Sequence, residues 1–335
     1  MTKVAVATTS QHAADGANEV AELGGNAVDC ALAAALFTMN TEPGVCALAG
    51  SAFITIWNPD SDPVTIDGNV AAPGKGLPDG ELGHAADPVT LAYGGGITTL
   101  AGPGSVAVPG SLAAIERAWQ LFGTARWKDL FAPVIDATRN GFPLSSACYY
   151  YLGYSGKDIF DRSEDGYHAL HASDGSLHDV GSLITVPHLA DTLAAIADEG
   201  ARVFYEGDIA RKIATHVRDG GGALTMQDLK DFEAIERPSL TVDIGDWTIA
   251  TNPPPAVGGA VLSAMLLACR DLPHDRWTTG ALQRLIEVQR AALDFRKRRL
   301  DLADNVGAEA ASLLEAARGG DLLSQWASAS VSYTH

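Results

Sequence analysis

His168 and His171 stand three residues apart, a spacing that brings two imidazoles to one helix face and could begin a metal site. No third ligand is spaced to complete it, so they read as solvent-exposed loop histidines and no metal is expected. Gly94-Gly95-Gly96 could present backbone N–H groups to an anion, yet no Lys follows and no buried strand precedes. It reads as a flexible loop. Cys30, Cys46, Cys148 and Cys269 are scattered without a C-x-x-C pair, which suits reduced, packed thiols. Arg290 and Asp294, with the run Arg296-Lys297-Arg298-Arg299 and Asp301, fit a salt-bridged helix face. The sequence contains no G-x-S-x-G elbow, H-E-x-x-H helix, Walker loop or dinucleotide fingerprint, and no cofactor is expected.

The bulk composition narrows the class. A chain of 335 residues that is 47% apolar can fill a substantial core, and its 41 acidic against 23 basic residues leave a formal charge of -18. Phosphate backbones and anionic bilayers would be repelled, so neither nucleic acid nor membrane is an expected partner. Small-molecule chemistry is the better fit. Met1-Thr2-Lys3 runs directly into Val4–Ala7 without a basic leader, which gives a cytoplasmic expectation. The longest charge-free apolar run, Cys30–Met39, is shorter than the roughly 18 to 20 residues a bilayer requires.

The elements that must position any site read as one mixed α/β unit over 1–335, with no linker. A strand is expected at Val4–Ala7 and a helix at Ala13–Leu23 that stops at Gly24-Gly25. A second helix starts at the N-cap Asn26, with Val28, Leu32 and Leu36 on one face. Strands at Ala52–Trp57 and Val64–Asp67 flank a turn-rich hexapeptide, and Gly68–Gly104 reads as covering loops. Helices follow at Ser111–Phe122, Trp127–Asn140, Pro187–Asp198, Glu206–Val217 and Thr225–Phe232, with a polar stretch around Ser155–Asp179. Strands at Leu240–Ile244 and Trp247–Thr251 precede further helices from Ala260 to Arg318.

Ordered blocks spread over the chain carry more information than any one site. Gly24-Gly25-Asn26-Ala27-Val28-Asp29 resembles the G-G-N-A-V-D signature of γ-glutamyltranspeptidase large subunits. Glu42-Pro43 through Phe53 is similar to their E-P-x-x-x-G-x-G-G-G-F loop, and Asp67-Gly68-Asn69-Val70-Ala71-Ala72-Pro73 to their D-F-R-E-x-A-P segment. Val108-Pro109-Gly110, Phe122-Gly123 with Trp127, Leu130 with Pro133-Val134-Ile135, and Asn140-Gly141-Phe142-Pro143-Leu144-Ser145 follow in the family's order. Phe204-Tyr205-Glu206-Gly207, Gly221-Gly222 with Leu224-Thr225 and Asp228-Leu229, and Pro253-Pro254-Pro255 with Gly258-Gly259 complete the series. Physically these blocks are turns, caps and core. The Pro253–Gly259 segment reads as a rigid loop bringing backbone close to another chain.

The resemblance implies an αββα four-layer N-terminal-nucleophile hydrolase sandwich, completed by a second, smaller subunit from the same precursor. It implies that no catalytic residue lies in this chain, since the nucleophile is a threonine whose own α-amino group, with a pKa near roughly 8, acts as base. That threonine is expected immediately after His335, the processing position. Thr334 is the lesser alternative, because the family's T-T-H pattern puts its nucleophile where Tyr333 stands. A dimer of heterodimers is the higher assembly expected.

Departures from the family pattern point to the substrate. The arginine that grips a glutamyl α-carboxylate is replaced by Asn69, beside Gly68, and a neutral amide cannot supply that charge. γ-Glutamyl transfer is expected to be weak or absent. The loop Gly44–Ala52 has lost most of the family's glycines and gained Cys46, which reads as a packed thiol shaping the substrate pocket. The resemblance thus favours a small-molecule acyl substrate cleaved next to a carbonyl, at an amide or at a C–C bond as in natural-product and antibiotic biosynthesis. A genuine γ-glutamyl enzyme and a non-catalytic scaffold or binding subunit are the alternatives.

Overall fold

The computed structural model describes residues 3–78, 80–81, 83–272 and 276–326. Along the chain run α1 (Gln11–Glu22), α2 (Ala27–Thr41), β1 (Ala52–Ile56), β2 (Val64–Gly68), β3 (Asp87–Leu91), β4 (Ile97–Ala101), α3 (Ser111–Phe122) and α4 (Trp127–Asn140). Next come β5 (Phe142–Pro143), α5 (Ser146–Ile159), α6 (Glu164–Leu170), β6 (Leu183–Ile184), α7 (Leu189–Glu199), α8 (Arg202–Tyr205), α9 (Gly207–Asp219) and α10 (Met226–Lys230). The last are β7 (Ile235–Pro238), β8 (Leu240–Ile244), β9 (Trp247–Thr251), α11 (Val257–Ala268), α12 (Thr279–Arg298), α13 (Val306–Gly319) and α14 (Leu322–Trp326).

Contacts gather these elements into two compact units, Met1–Ala52 with Asp67–Ile235, and Phe53–Ile66 with Glu236–His335. Composition shows no linker because the chain passes between units inside β1 and β2 and at the start of β7, where it remains in strands.

The first unit is mainly helical. Ser10 caps α1 by accepting from the Ala13 N–H at 3.1 Å, and the helix ends before Gly24, whose φ of +95° suits glycine. Asn26 accepts from the N–H groups of Val28 and Asp29, and the Asp29 carboxylate accepts from the Asn26 N–H, closing a capping box on α2. Close packing of α1 against α2 and α4 follows from small residues: a Cβ added at Gly16 would stand 3.1 Å from both Phe37 and Pro133. Phe131, Leu130, Val134, Leu32, Leu36 and Ile115 are buried in this unit.

The second unit holds a three-stranded sheet of order β1-β2-β7 and the antiparallel pair β8–β9, in register from Leu240 opposite Thr251 to Ile244 opposite Trp247. Val242 of β8 packs in one core with Val261, Leu267, Val288, Phe295 and Leu313 of α11 to α13. A Cβ at Gly259 would fall 2.0 Å from the Asn252 carbonyl oxygen, so only glycine permits this start of α11 beneath the proline loop. Three arginines at the end of α12 and just after it are paired, Arg298 to Asp294 at 3.7 Å, Arg296 to Asp301 at 3.1 Å and Arg299 to Glu309 at 2.8 Å.

Three expectations need correction. Val4–Ala7, expected as a strand, alternate between half-buried and exposed but join no strand among the described residues. The segment read as loops contains the β3–β4 hairpin, with Gly94, Gly95 and Gly96 at φ of +60°, +93° and +104° forming its turn. Its arms are exposed apart from half-buried Val89 and Leu91 and buried Ala101, so no apolar alternation marks them in sequence. The polar stretch from Ser155 contains the end of α5 and all of α6. His168 lies on α6 beside Glu164 at 3.5 Å, whereas His171 at the helix end is only 12% exposed and stacks on Tyr167 at 4.2 Å. His171 is therefore a packed ring, not a solvent-exposed loop residue. No helix of the described residues is long and apolar enough to cross a membrane.

Candidate functional site

Three landmark segments of the first unit meet where β2 ends. Gly68 and Gly110 pack back to back: a Cβ on Gly68 would stand 2.5 Å from the Gly110 carbonyl oxygen, and one on Gly110 2.4 Å from that of Gly68. Any side chain at either position would force the two backbones apart. Ala71 and Val108 exchange N–H to carbonyl bonds of 3.1 and 2.9 Å just beyond this contact. The loop after α2 is tied in from the other side. Gly50 accepts from the N–H groups of Gly110 at 2.9 Å and Ser111 at 3.1 Å, and the Ser111 hydroxyl donates to the Leu48 carbonyl.

The same joint is braced from behind. The buried Tyr205 hydroxyl donates to the Pro109 carbonyl and accepts from the Ala113 N–H, both at 3.1 Å, and burial, the main influence, raises its pKa so that it stays protonated. Asp228, 2% exposed, accepts from the N–H groups of Gly74, Lys75 and Thr225 at 2.8 to 2.9 Å and from the Thr225 hydroxyl. Burial disfavours its charge, but these hydrogen bonds outweigh burial and hold its pKa below the usual carboxylate range. The segment 67–75 is thereby fixed at both ends.

Asn69 emerges from this rigid setting into solvent. Its N–H donates to the Asp67 carboxylate at 3.0 Å, while its side-chain amide is exposed and makes no hydrogen bond to the described residues. The next cation along the chain, Lys75, has its ammonium 3.3 Å from Asp231 and does not replace the absent guanidinium. Cys46 lies at the other end of its loop. Its thiol donates to the Thr38 carbonyl at 3.5 Å and borders a cleft of about 500 Å³ between α2 and residues 5–9. Burial, then Glu42 and Cys148, push the thiol up to about 11, so it is not a thiolate at neutral pH. Gly68 and Asn69 thus share the Gly110 joint, while Cys46 faces α2. Thr334 and His335 lie outside the described residues.

Asp29, fully buried, links two further landmarks. Besides the Asn26 cap, it accepts from the N–H groups of Thr124 and Ala125 and from the Thr124 hydroxyl, at 2.8 to 3.2 Å. The G-G-N-A-V-D and F-G-T-A-R-W blocks are thus two halves of one anchor.

The model of the family described as gamma-glutamyltranspeptidase matches residues 13–328. The chain belongs to the γ-glutamyltranspeptidase family. Glutathione hydrolase 2 of Arabidopsis thaliana is 29% identical over 294 residues, covering 87% of this chain and 49% of the relative. The chain thus spans about half the length of that curated relative or less of others it matches. Among solved structures, γ-glutamyltranspeptidase from Pseudomonas nitroreducens complexed with L-DON superposes with a TM-score of 0.78 at 25% identity, over 96% of this chain and 94% of that one. Cephalosporin acylase from Bacillus halodurans shares the fold, with a TM-score of 0.73 at 21% identity over 92% of this chain and 58% of that one. The mixed helix and sheet architecture is accordingly that of the N-terminal-nucleophile hydrolases, as the landmark order implies.

The tyrosines of α5 belong to no landmark block of the sequence. Tyr150, Tyr151 and Tyr154 sit at helical three- and four-residue spacing, which was the available signal.

Proposed function

We propose that this chain is the non-nucleophilic part of an acyl-cleaving N-terminal-nucleophile hydrolase whose acyl group is not γ-glutamyl. The observation that carries this reading is Asn69, an exposed neutral amide on a segment held rigid by Gly110 and Asp228. Without a guanidinium, a donor carboxylate loses a charge-assisted, bidentate partner worth about 1.5 to 3 kcal/mol or more.

In the proposed reaction the nucleophile is the N-terminal Thr of a partner chain released from the same precursor. Its hydroxyl oxygen attacks the substrate carbonyl carbon as its α-amino group takes the hydroxyl proton. Collapse of the tetrahedral species breaks the bond to the leaving nitrogen or carbon, which receives that proton. Water then releases the acyl group as a carboxylic acid. The word proenzyme in the names of the Bacillus subtilis and Escherichia coli relatives supports a division. A cytoplasmic setting, a dimer of heterodimers and a role in natural-product biosynthesis belong to the same proposal.

The name of the Arabidopsis relative favours a second reading, a γ-glutamyl enzyme that holds its donor without arginine. Assay of the complete gene product with γ-glutamyl-p-nitroanilide separates the two. Slow turnover that rises about tenfold or more in kcat/KM for Asn69→Arg is expected. Ready turnover by the unaltered protein overturns the proposal. If the complete gene product yields no chain beginning with Thr, Ser or Cys, as read by N-terminal sequencing, the catalytic reading falls and a non-catalytic scaffold remains.

A further inference from the structure

A second cavity in the first unit is built from side chains that the proposed chemistry leaves unused. Tyr93, from the turn of the β3–β4 hairpin, joins Tyr151 and Tyr154 of α5 in lining a cavity of about 400 Å³ with Val45, Leu91 and Phe160. Tyr93 stacks on Tyr154 with centroids 5.5 Å apart and planes 28° apart, and tilts against Tyr151 at 5.8 Å and 55°. Tyr151 and Tyr150 each meet Tyr154 edge-on, at 5.6 Å and 5.4 Å. These are the separations at which aromatic rings attract.

The chemistry of the wall selects its occupant. Its volume suits a single small ring system, at the lower end of the roughly 300 to 1,000 Å³ of ligand pockets. No carboxylate, ammonium or guanidinium is among the described lining residues. An anion would meet the negative faces of the rings, and a small, strongly hydrated cation would shed its water with no carboxylate beside it, a loss that ring faces alone do not offset. The Ser155 hydroxyl is already given to the Tyr151 carbonyl at 2.7 Å. The Tyr154 hydroxyl is buried with no hydrogen-bond partner among the described residues. Burial of that phenol, then Tyr151, Tyr150 and Tyr93, raise its pKa, so it remains a donor in want of an acceptor. An acceptor on the occupant would pair this hydroxyl as the ring adjusts to it.

We infer that this cavity binds a neutral aromatic ring bearing a hydrogen-bond acceptor, and holds the ring-bearing part of the acyl substrate. The assignment to substrate rests on the acyl-cleaving reading above; the binding itself does not. The link is the loop after α2. Gly44 and Val45 line the cavity, and six residues on from Gly44 the Gly50 carbonyl is bonded to Gly110 beside Gly68. Six residues span at most about 20 Å, within reach of one extended small molecule.

The probe is N-benzylacetamide, with N-(cyclohexylmethyl)acetamide as the shape control, titrated into the complete gene product and followed by calorimetry and saturation-transfer NMR. The benzyl amide is expected to bind at least about fivefold tighter than the cyclohexyl one, and Tyr93→Ala, at an exposed turn, to weaken it about tenfold. Tyr154→Phe, which keeps the ring and removes the hydroxyl, is expected to weaken it about fivefold. Equal affinity for both probes, indifference to Tyr93→Ala, or no binding because a partner chain fills the cavity each overturn the inference. If the benzyl amide binds as expected while no acyl anilide is cleaved, the cavity stands and the catalytic reading falls. If anilides are cleaved with no preference for ring-bearing acyl groups and no response to Tyr93→Ala, the catalytic reading stands and the cavity falls.

Discussion

The landmark joints and the tyrosine cavity are constructed on different principles. At Asp29, at the Gly68–Gly110 contact and at Asp228, distant segments are held by main-chain groups that converge on one carboxylate or on one bare backbone. At the cavity, a helix and a hairpin meet through tyrosine side chains, their rings and the Tyr93 and Tyr151 hydroxyls, half-exposed and without a buried carboxylate to anchor them. A joint of the first kind tolerates almost no change at its few key residues, because each lost acceptor strands several donors from two segments at once. A wall of the second kind keeps its backbone when a ring is exchanged. The difference separates what builds this family's scaffold from what can adapt to a substrate.

Substitutions at the joints should therefore cost stability, and the largest loss is expected at Asp29. Asp29→Ala takes the shared acceptor from the N–H groups of Asn26, Thr124 and Ala125 and empties a fully buried position, and should lower unfolding free energy by about 3 to 5 kcal/mol. Urea denaturation measures it, and a loss under about 1 kcal/mol would break the contrast. Gly110→Ala comes next, at about 2 to 4 kcal/mol, since its Cβ would lie 2.4 Å from the Gly68 oxygen and 2.5 Å from the Phe232 ring. The same denaturation series ranks it against Tyr93→Ala, which should stay within about 1 kcal/mol.

The third prediction concerns pH. The folded pKa of Asp228 is depressed, so its stabilising effect is complete above the roughly 3.9 of a free aspartate and is lost as pH falls through the lower folded value. Asp228→Asn should cost about 1 to 2 kcal/mol at pH 7 and flatten part of the decline in urea midpoint below about pH 4. An unchanged acid limb would show that the four hydrogen bonds do not favour the charged form. The smallest effect is chemical. With a pKa of about 11, Cys46 should alkylate with iodoacetamide about two orders of magnitude more slowly at pH 8 than a free thiol, and Cys46→Ala should leave any acyl turnover intact. Rapid labelling resolved by peptide mass spectrometry would show that Cys46 is not a packed thiol.

Much of the fold was readable because its determinants are local. Asn26 and Asp29 cap α2 within one turn, Gly24 ends α1, and Gly245-Asp246 closes the β8–β9 pair, so a few neighbouring residues state each outcome. The β3–β4 hairpin was not readable, since its strands bury almost nothing and leave no period. The aromatic face of α5 was overlooked because its meaning depends on Tyr93, which arrives from a hairpin far back in the chain. At the candidate site the exchange that removes the guanidinium was visible as Asn69 in its block, and nothing more.

The sequence by itself determined the family, through the order of blocks whose glycines, prolines and caps act over a few residues. It also determined that no charge stands at position 69. Only the tertiary structure decided that Gly68 and Gly110 are one contact, that Asp29 and Asp228 each bind two segments, and that Cys46 turns to α2 while Asn69 turns to solvent. Each of those depends on which distant backbone arrives opposite a residue, and side-chain type and spacing carry no record of that arrival.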